Sequence, residues 1–468
     1  MTSPFAKKRV VILGIGHFGG QIEAARFMCR AGARVLATDL KPAEKLTHAL
    51  CELEGEPIEW RLGEHREEDL RAADLVVVSP AVPKTSPFLK LIEREKIPQT
   101  TEMNLTIERL RAPIYAVTGS NGKSTTTTLL ARAVEAAGFR VFAGGNIGRP
   151  LLNEVDAIEP SDRVVLELSS FQLEDLRSLP RFEPALAIVT NLTPNHLDRH
   201  GTLEDYARAK RLLVERLGPQ GVAVLNREDP RVLDFRNWTS ARIATFGMAP
   251  PPCGSEGTFV AGGEIRSRDR AGCERAIVSL DEIEIPGRHN LMNVLAVAAA
   301  TEALGLSPAA LARALRGFRG IPDRLETVRL RRGVRYVNDS KATTPEAARA
   351  ALEAFPPPVF AILGGQDKGM DLRPLVAAAV ERARAVFLIG ATRERLREAI
   401  ERSSAERGAG PEEVRCCGSL EEALAAAERA AGPGATVVLT PGFASYDMFS
   451  SFEERGERFR ALVRALPE

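Results

Sequence analysis

The sequence predicts an α/β fold divided into three domains, and three observations carry that prediction. Short β-branched runs alternate with Ala-, Leu- and Glu-rich stretches of helical period almost from end to end, the pattern of parallel strands joined by crossover helices. The chain has 468 residues, far more than one core of the usual size (about 150 residues) would use. Finally, glycine-rich turns follow two separate strand-like runs, at Gly14 and at Gly119, so a βα unit opens twice. In order, Arg9 to Leu13, Arg34 to Thr38 and Leu75 to Val78 read as strands, with helices at Gln21 to Arg30 and Pro87 to Glu95. These make a small doubly wound domain, expected over 1–101. A second unit starts with a strand at Ile114 to Thr118 and a helix at Lys123 to Ala136, followed by strands at Val164 to Glu167 and Leu186 to Thr190. The Gly-, Pro-, Ser- and Arg-rich stretch from Pro250 to Glu274 lacks helical period and reads as short hairpins at this domain's edge. Helices at Asn290 to Leu304 and Ala309 to Leu315 complete the domain, expected over 102–320. Gly320, Ile321 and Pro322 read as a hinge into a third domain over 321–468. Its strands are expected at Tyr336 to Asn338, Val359 to Leu363, Val386 to Ile389 and Thr436 to Leu439, before a last helix from Phe452 to Leu466.

Composition narrows the partners. Lys plus Arg number 63 against 62 for Asp plus Glu, a net charge of +1, so no chain-wide field draws nucleic acid or acidic lipid. Any anionic ligand must be held by local charge. With 44% hydrophobic and 27% charged residues the chain can bury full cores, while 5% aromatic residues are too few for a stacking-type RNA binder. The six cysteines, Cys29, Cys51, Cys253, Cys273, Cys416 and Cys417, have no C-x-x-C spacing and read as free thiols of a reducing compartment. The apolar run from Val10 to Leu13 is too short for a signal peptide, and no run approaches the roughly 18 residues of a membrane span. A cytoplasmic monomer with neither nucleic-acid nor membrane partners is expected.

Three groups of motifs carry chemistry. Gly14, Ile15, Gly16, His17, Phe18 and Gly19 follow a strand and open a helix, and Asp39 ends the next strand. That is the dinucleotide fingerprint in its context, with backbone approach to a diphosphate and a carboxylate for a ribose hydroxyl; NAD, another diphosphate and a plain tight turn all fit it. Gly119, Ser120, Asn121, Gly122, Lys123, Ser124 and Thr125 lie between a strand and a helix, so backbone amides and the Lys123 ammonium can wrap a triphosphate while Ser124 or Thr125 reaches Mg²⁺. Val117 stands where the standard Walker pattern has its first glycine, which makes this a shorter phosphate loop. Glu167 ends a strand where a Mg²⁺ ligand belongs, or is a solvated or capping acid. Thr190, Asn191, Asn195, His196 and Asp198 crowd a second strand end, which favours a shared site, although His196 alone is equally an ordinary loop histidine. Lys210, in a helical run, reads most simply as a solvated charge. In the third domain, residues 338–345, 363–369 and 440–445 end strands and carry Lys341, Thr343, Lys368 and Ser445, loops suited to a small anionic substrate or to ordinary glycine turns.

Together these residues resemble a known family, the ATP-dependent Mur ligases. The likeness rests on Thr118 to Thr125, Glu167 to Gln172, His196 to Gly201 and Gly287 to Asn290. Asn338 to Thr343, Leu363 to Lys368, Pro441 to Phe449 and Phe452 to Phe459 resemble the D-glutamate-adding members, and no D-N-P-R or D-D-P-R motif of the diaminopimelate- and lysine-adding ones is present. The resemblance implies an N-terminal Rossmann-like domain for a uridine diphosphate, a central P-loop ATPase with a mostly parallel sheet, and a mobile C-terminal Rossmann-like domain. It implies phosphoryl transfer from ATP to the L-alanyl carboxylate of UDP-N-acetylmuramoyl-L-alanine, then attack by D-glutamate, with Mg²⁺ as cofactor. It assigns Gly14, Ile15, Gly16, His17, Asp39 and Ser79 to the uridine diphosphate and Ser124 and Glu167 to Mg²⁺. Lys210 becomes a carbamylated lysine that also binds Mg²⁺, with His196 beside it. Asn146 and Asn290 would face adenine, Arg324 and Asp339 would reach ATP, and Lys341, Thr343, Lys368, Ser445 and the Phe452 backbone would receive D-glutamate. Another Mur ligase or a folylpolyglutamate synthase-like ligase is the nearest alternative; a nicotinamide dehydrogenase or a nucleotide switch explains only one loop each.

Overall fold

The computed structural model describes residues 3–16, 19–147, 150–194, 197–367 and 370–467. Two compact units result, one of Met1–Leu280 with Met292–Ala314, the other of Asp281–Leu291 with Leu315–Glu468.

The first unit holds two sheets. Strands β1 (Arg9–Leu13), β2 (Arg34–Asp39), β3 (Ile58–Leu62), β4 (Leu75–Val78) and β5 (Gln99–Thr100) form an all-parallel sheet in the order β3-β2-β1-β4-β5. β1 lies at its centre because it is apolar at every position from Val10 to Leu13: Val10 and Ile12 enter the core on one face, Val11 and Leu13 the core on the other. The edge strand β3 escapes the sequence reading because Glu59 and Arg61 interrupt its apolar residues. At β5 two residues carry too little pattern.

The second sheet contains β6 (Ile114–Thr118), β7 (Val141–Gly145), β8 (Arg163–Glu167), β9 (Leu186–Val189), β10 (Val222–Asn226), β11 (Arg242–Phe246), β12 (Glu256–Ala261), β13 (Glu264–Arg268) and β14 (Glu274–Ser279). Their order is β14-β13-β12-β11-β10-β9-β6-β8-β7, parallel from β7 to β12, with β13 and β14 antiparallel. The irregular stretch after Pro250 thus forms hairpins at the sheet edge, as its composition predicts. Placing β6 between β8 and β9 sets the loops at 119–122, 168–169 and 190–193 along one carboxyl edge, where open α/β sheets hold ligands.

The second unit has one sheet of β15 (Glu326–Arg331), β16 (Val334–Asn338), β17 (Val359–Gly364), β18 (Ala383–Ile389), β19 (Glu413–Cys416) and β20 (Thr436–Leu439), ordered β15-β16-β20-β17-β18-β19. All pairs are parallel except β15 with β16. Strands β16, β20 and β17 are neighbours, so the three polar loops that follow them share an edge. No helix among the described residues is long and apolar enough to cross a membrane.

Candidate active site

The phosphate loop leaves β6 and enters the helix Lys123–Ala136, whose first turn has no side-chain cap, so its amides remain for a ligand. Glycine is required twice. A Cβ at Gly119 (φ +147°) would stand 1.9 Å from Thr190 Oγ1, and one at Gly122 (φ +80°) 2.2 Å from Asn293 Oδ1. Residues 190–193 brace the loop: Ser120 and Asn121 donate their amides to Asn191 O and Oδ1 (both 2.9 Å), and Thr190 Oγ1 donates to Asn121 O (2.6 Å). Lys123 folds back over the loop, Nζ donating to Gly119 O (3.1 Å) and Ser120 O (3.0 Å). Ser124 and Thr125 are buried behind it.

Glu167 is not a solvated acid. At the end of β8 its side chain is buried, Oε1 accepting from Asn146 Nδ2 (2.8 Å) while Oε2 has no partner among the described residues. A buried carboxylate oxygen left open beside a phosphate loop fits a divalent cation, since Mg²⁺ is held through one or two carboxylates plus water and phosphate oxygens. Asn146, assigned to adenine by resemblance, is thus engaged with Glu167.

The reading of Lys210 as a solvated charge is overturned. Its residue is 1% exposed, with Nζ donating to Gly119 O (2.8 Å) and lying 4.6 Å from the centroid of the Tyr206 ring. Burial, reinforced by the Lys123 ammonium and only partly opposed by Glu167, pushes its pKa well below that of an ordinary lysine. The charged form of the amine behind the phosphate loop is therefore disfavoured. Tyr206, which the sequence reading passed over, ties it to the loop through its hydroxyl, 3.1 Å from Ser120 Oγ. Asn195 and His196 lie outside the described residues, as does the side chain of Asp198.

In the first sheet, Gly14 (φ +79°) and Gly16 (φ +61°) shape the turn after β1, where a Cβ at Gly14 would press on Ser79 and Val82 at 3.3 and 3.1 Å. Asp39 spends both oxygens on backbone, Oδ2 accepting from Gly16 N (2.9 Å) and Oδ1 from Lys41 N (2.8 Å). It shapes the glycine turn itself. Ile15 turns its side chain into the core, leaving only its backbone for a ligand. Ser79 accepts from Ala81 N through Oγ (3.3 Å), and His17 lies outside the described residues.

In the second unit, Asp339 is buried, accepting from Leu325 N (3.1 Å) and Thr440 Oγ1 (2.8 Å). Burial raises its pKa to about 7. It anchors the backbone next to Arg324 and the loop after β20, so its carboxylate is committed inside the fold. Lys341 N donates to Asp323 O (2.9 Å) and its Nζ lies 5.8 Å from the Phe452 ring centroid. Thr343 donates its amide to Lys341 O, and the Phe452 carbonyl accepts from Ser340 Oγ (2.8 Å). The buried Ser445 accepts through its carbonyl from Met448 N and Phe449 N. Arg455, which the sequence presents as one more charge on a charged helix, is 1% exposed and holds these loops together, donating to Ser340 Oγ (2.9 Å), Ser340 O (2.8 Å) and Phe443 O (3.2 Å). Asn290 donates to Pro286 O (2.7 Å), and Lys368 lies outside the described residues.

Comparison with known proteins decides what these loops belong to. The family models for the Mur ligase MurD-like N-terminal domain, the Mur ligase middle domain and the Mur ligase glutamate ligase domain match residues 8–100, 117–301 and 323–443. A UDP-N-acetylmuramoylalanine–D-glutamate ligase of Symbiobacterium thermophilum is 40% identical over 460 residues, 98% of this chain and 98% of its own. The chain belongs to the Mur ligase family. A second ligase of the same name, from Geobacter metallireducens, is 40% identical with 98% of both chains covered. Among solved structures, the UDP-N-acetylmuramate-alanine ligase MurC of Thermotoga maritima superimposes with a TM-score of 0.60 at 19% identity, over 98% of this chain and 99% of that one. Escherichia coli FolC gives 0.57 at 19% identity over 77% and 92%. These two likenesses show the shared fold. This Mur ligase places Asn293, two helical residues missed by motif reading being Asn293 and Tyr206, against the phosphate loop, and its helix Arg288–Ala303 carries Asn290 one turn earlier.

Proposed function

We propose that this Mur ligase joins D-glutamate to the L-alanyl carboxylate of UDP-N-acetylmuramoyl-L-alanine with ATP, in cytoplasmic peptidoglycan precursor synthesis. The observation that carries the chemistry is the open, buried Oε2 of Glu167 beside a glycine loop shaped for phosphates. The full-length likeness to D-glutamate-adding ligases selects the two substrates. A carboxylate resists an amine nucleophile, so its oxygen first attacks the γ-phosphorus and ADP leaves. The D-glutamate nitrogen then adds to the acyl carbon, loses a proton, and phosphate departs with the C–O bond electrons.

Lys123 and the amides of Gly119, Gly122, Ser124 and Thr125 hold the triphosphate and offset the charge gathered between two anionic reactants, while Ser120 and Asn121, their own amides donated to Asn191, keep the loop in shape. Ser124 and Glu167 would hold Mg²⁺, which when bound neutralises phosphate charge. Lys210, whose ammonium form burial disfavours, is suited to take up CO₂ as the free amine, its nitrogen bonding to carbon with loss of one proton, and the carbamate would give the cation a further oxygen ligand. His196 acts beside it by similarity. Gly14, Ile15, Gly16, His17, Asp39 and Ser79 are assigned to the uridine diphosphate. Asn146 and Asn290 are assigned to the adenine side, and Arg324 and Asp339 to ATP. Lys341, Thr343, Lys368, Ser445 and Phe452 are assigned to D-glutamate. The working parts are 1–101, 102–320 and 321–468.

Phosphate release from ATP in the presence of the sugar nucleotide, measured against a panel of amino acids, tests the reading. Turnover is expected with D-glutamate alone. Release with glycine, L-alanine or L-glutamate in its place, or none at all, overturns it.

A further inference from the structure

We infer that Arg199 is a positioning residue that couples the sugar-nucleotide loop to the phosphoryl-transfer site. The inference rests on the ligase reading for what occupies that loop. Residues Ser79 and Pro80 follow β4 and adjoin the glycine turn at Gly14, whereas the helix Ser170–Asp175 begins three residues after Glu167 and is set by a capping box between Ser169 and Gln172. Arg199 joins the two. Its Nη1 donates to Pro80 O at 2.7 Å, and its Cζ stands 3.9 Å from the centroid of the Phe171 ring, a close cation–π contact.

The connection continues inward through packed side chains. Phe171 stacks on His200 at 5.5 Å between centroids, and His200, whose side chain is fully buried, sets Nε2 2.9 Å from Ser170 Oγ. The same ring leans on Tyr206 at 5.3 Å, and Tyr206 reaches both Ser120 Oγ and Lys210 Nζ. A displacement of Pro80 therefore meets contiguous matter as far as the phosphate loop. Lys84 pairs with Glu174 at 2.6 Å across the same boundary, but Lys84 is half exposed and such a pair is screened by water. The Arg199 contact is of another kind. Its Nε is buried without a partner among the described residues, which disfavours the arrangement unless position matters more than satisfaction of that donor.

Hydrogen exchange on the full-length protein, with and without UDP-N-acetylmuramoyl-L-alanine, tests the coupling. In the native protein the nucleotide is expected to slow exchange at 79–84 and also at 170–175. Arg199→Met should keep the first effect and lose the second. In steady-state assays it should lower kcat/KM for the nucleotide by about three- to thirtyfold while KM for ATP stays unchanged. Arg199→Lys keeps a donor near Pro80 O and the positive charge, and should recover part of both effects, which guards against a variant that merely folds badly. Undiminished slowing at 170–175 in Arg199→Met, or a parallel rise in KM for ATP, overturns the inference. If the native protein shows no slowing at 79–84, the ligase reading fails first.

Discussion

At residue scale, Lys210 and Glu167 show two consequences of burial: an amine whose charged form is disfavoured and a carboxylate with one oxygen left open. If the amine carries a carbamate, Lys210→Ala should abolish phosphate release and a short carboxylate such as formate or acetate should restore a part of it; absence of rescue across a concentration series would count against the carbamate. Glu167→Gln keeps an acceptor for Asn146 but replaces one oxygen by an amide, so kcat should fall by about a hundredfold or more, read as phosphate release over a Mg²⁺ titration. The burial of Lys210 left a trace in the sequence: Tyr206, Lys210 and Leu213 fall on one face of the helix Leu203–Glu215, all buried. Periodicity names that face without saying what covers it. Arg455 left no such trace, because its partners are loop carbonyls and a serine rather than an acid at helical spacing.

The elements that sequence patterning marks best are strands with neighbours on both sides, such as β1 and β6, whose residues are apolar on both faces. Edge strands β3, β5 and β19 keep polar residues or are too short to show a period, and were missed for that reason. The glycine turns were legible because a positive φ restricts residue type locally. Two of them separate function from strain. Gly119→Ala drives a Cβ into Thr190 and should cost about 1–3 kcal/mol of stability together with ATP binding. Gly262→Ala, in the tight turn between β12 and β13 with open space around it, should cost about 1 kcal/mol and leave ATP binding intact. Calorimetric titration with ATP beside denaturant unfolding checks both; equal ATP affinity in the two variants would refute the loop's role.

Across the whole molecule the near balance of charge hides buried acids that pay no part in it at neutral pH without cost. Glu102, in the helix Glu102–Arg109, is 9% exposed, accepts from Thr106 Oγ1 (2.9 Å), and has its pKa raised from 4.5 to about 7 by burial, with Glu23 adding to the shift. A raised carboxyl pKa means the folded protein holds a proton that the unfolded chain releases. The stabilisation is complete below about pH 4.5, declines as pH rises, and is gone above about pH 7. Glu102→Gln should therefore match the native protein near about pH 5 and exceed it near about pH 8 by up to about 3 kcal/mol, read from urea unfolding. The same difference at both pH values would show that the carboxyl does not titrate on folding.

The α/β class, the two glycine turns that open helices and the strand-end acids were determined by the sequence itself, because a strand, a glycine turn and a helix start are set by neighbours a few residues away. Only the tertiary structure decided that Lys210 lies under Gly119, 91 residues before it, that Asn146 holds Glu167, and that Arg199 reaches Pro80 across 119 residues. Those pairings depend on which strands are neighbours, and a burial pattern along one element carries no record of the element that packs against it.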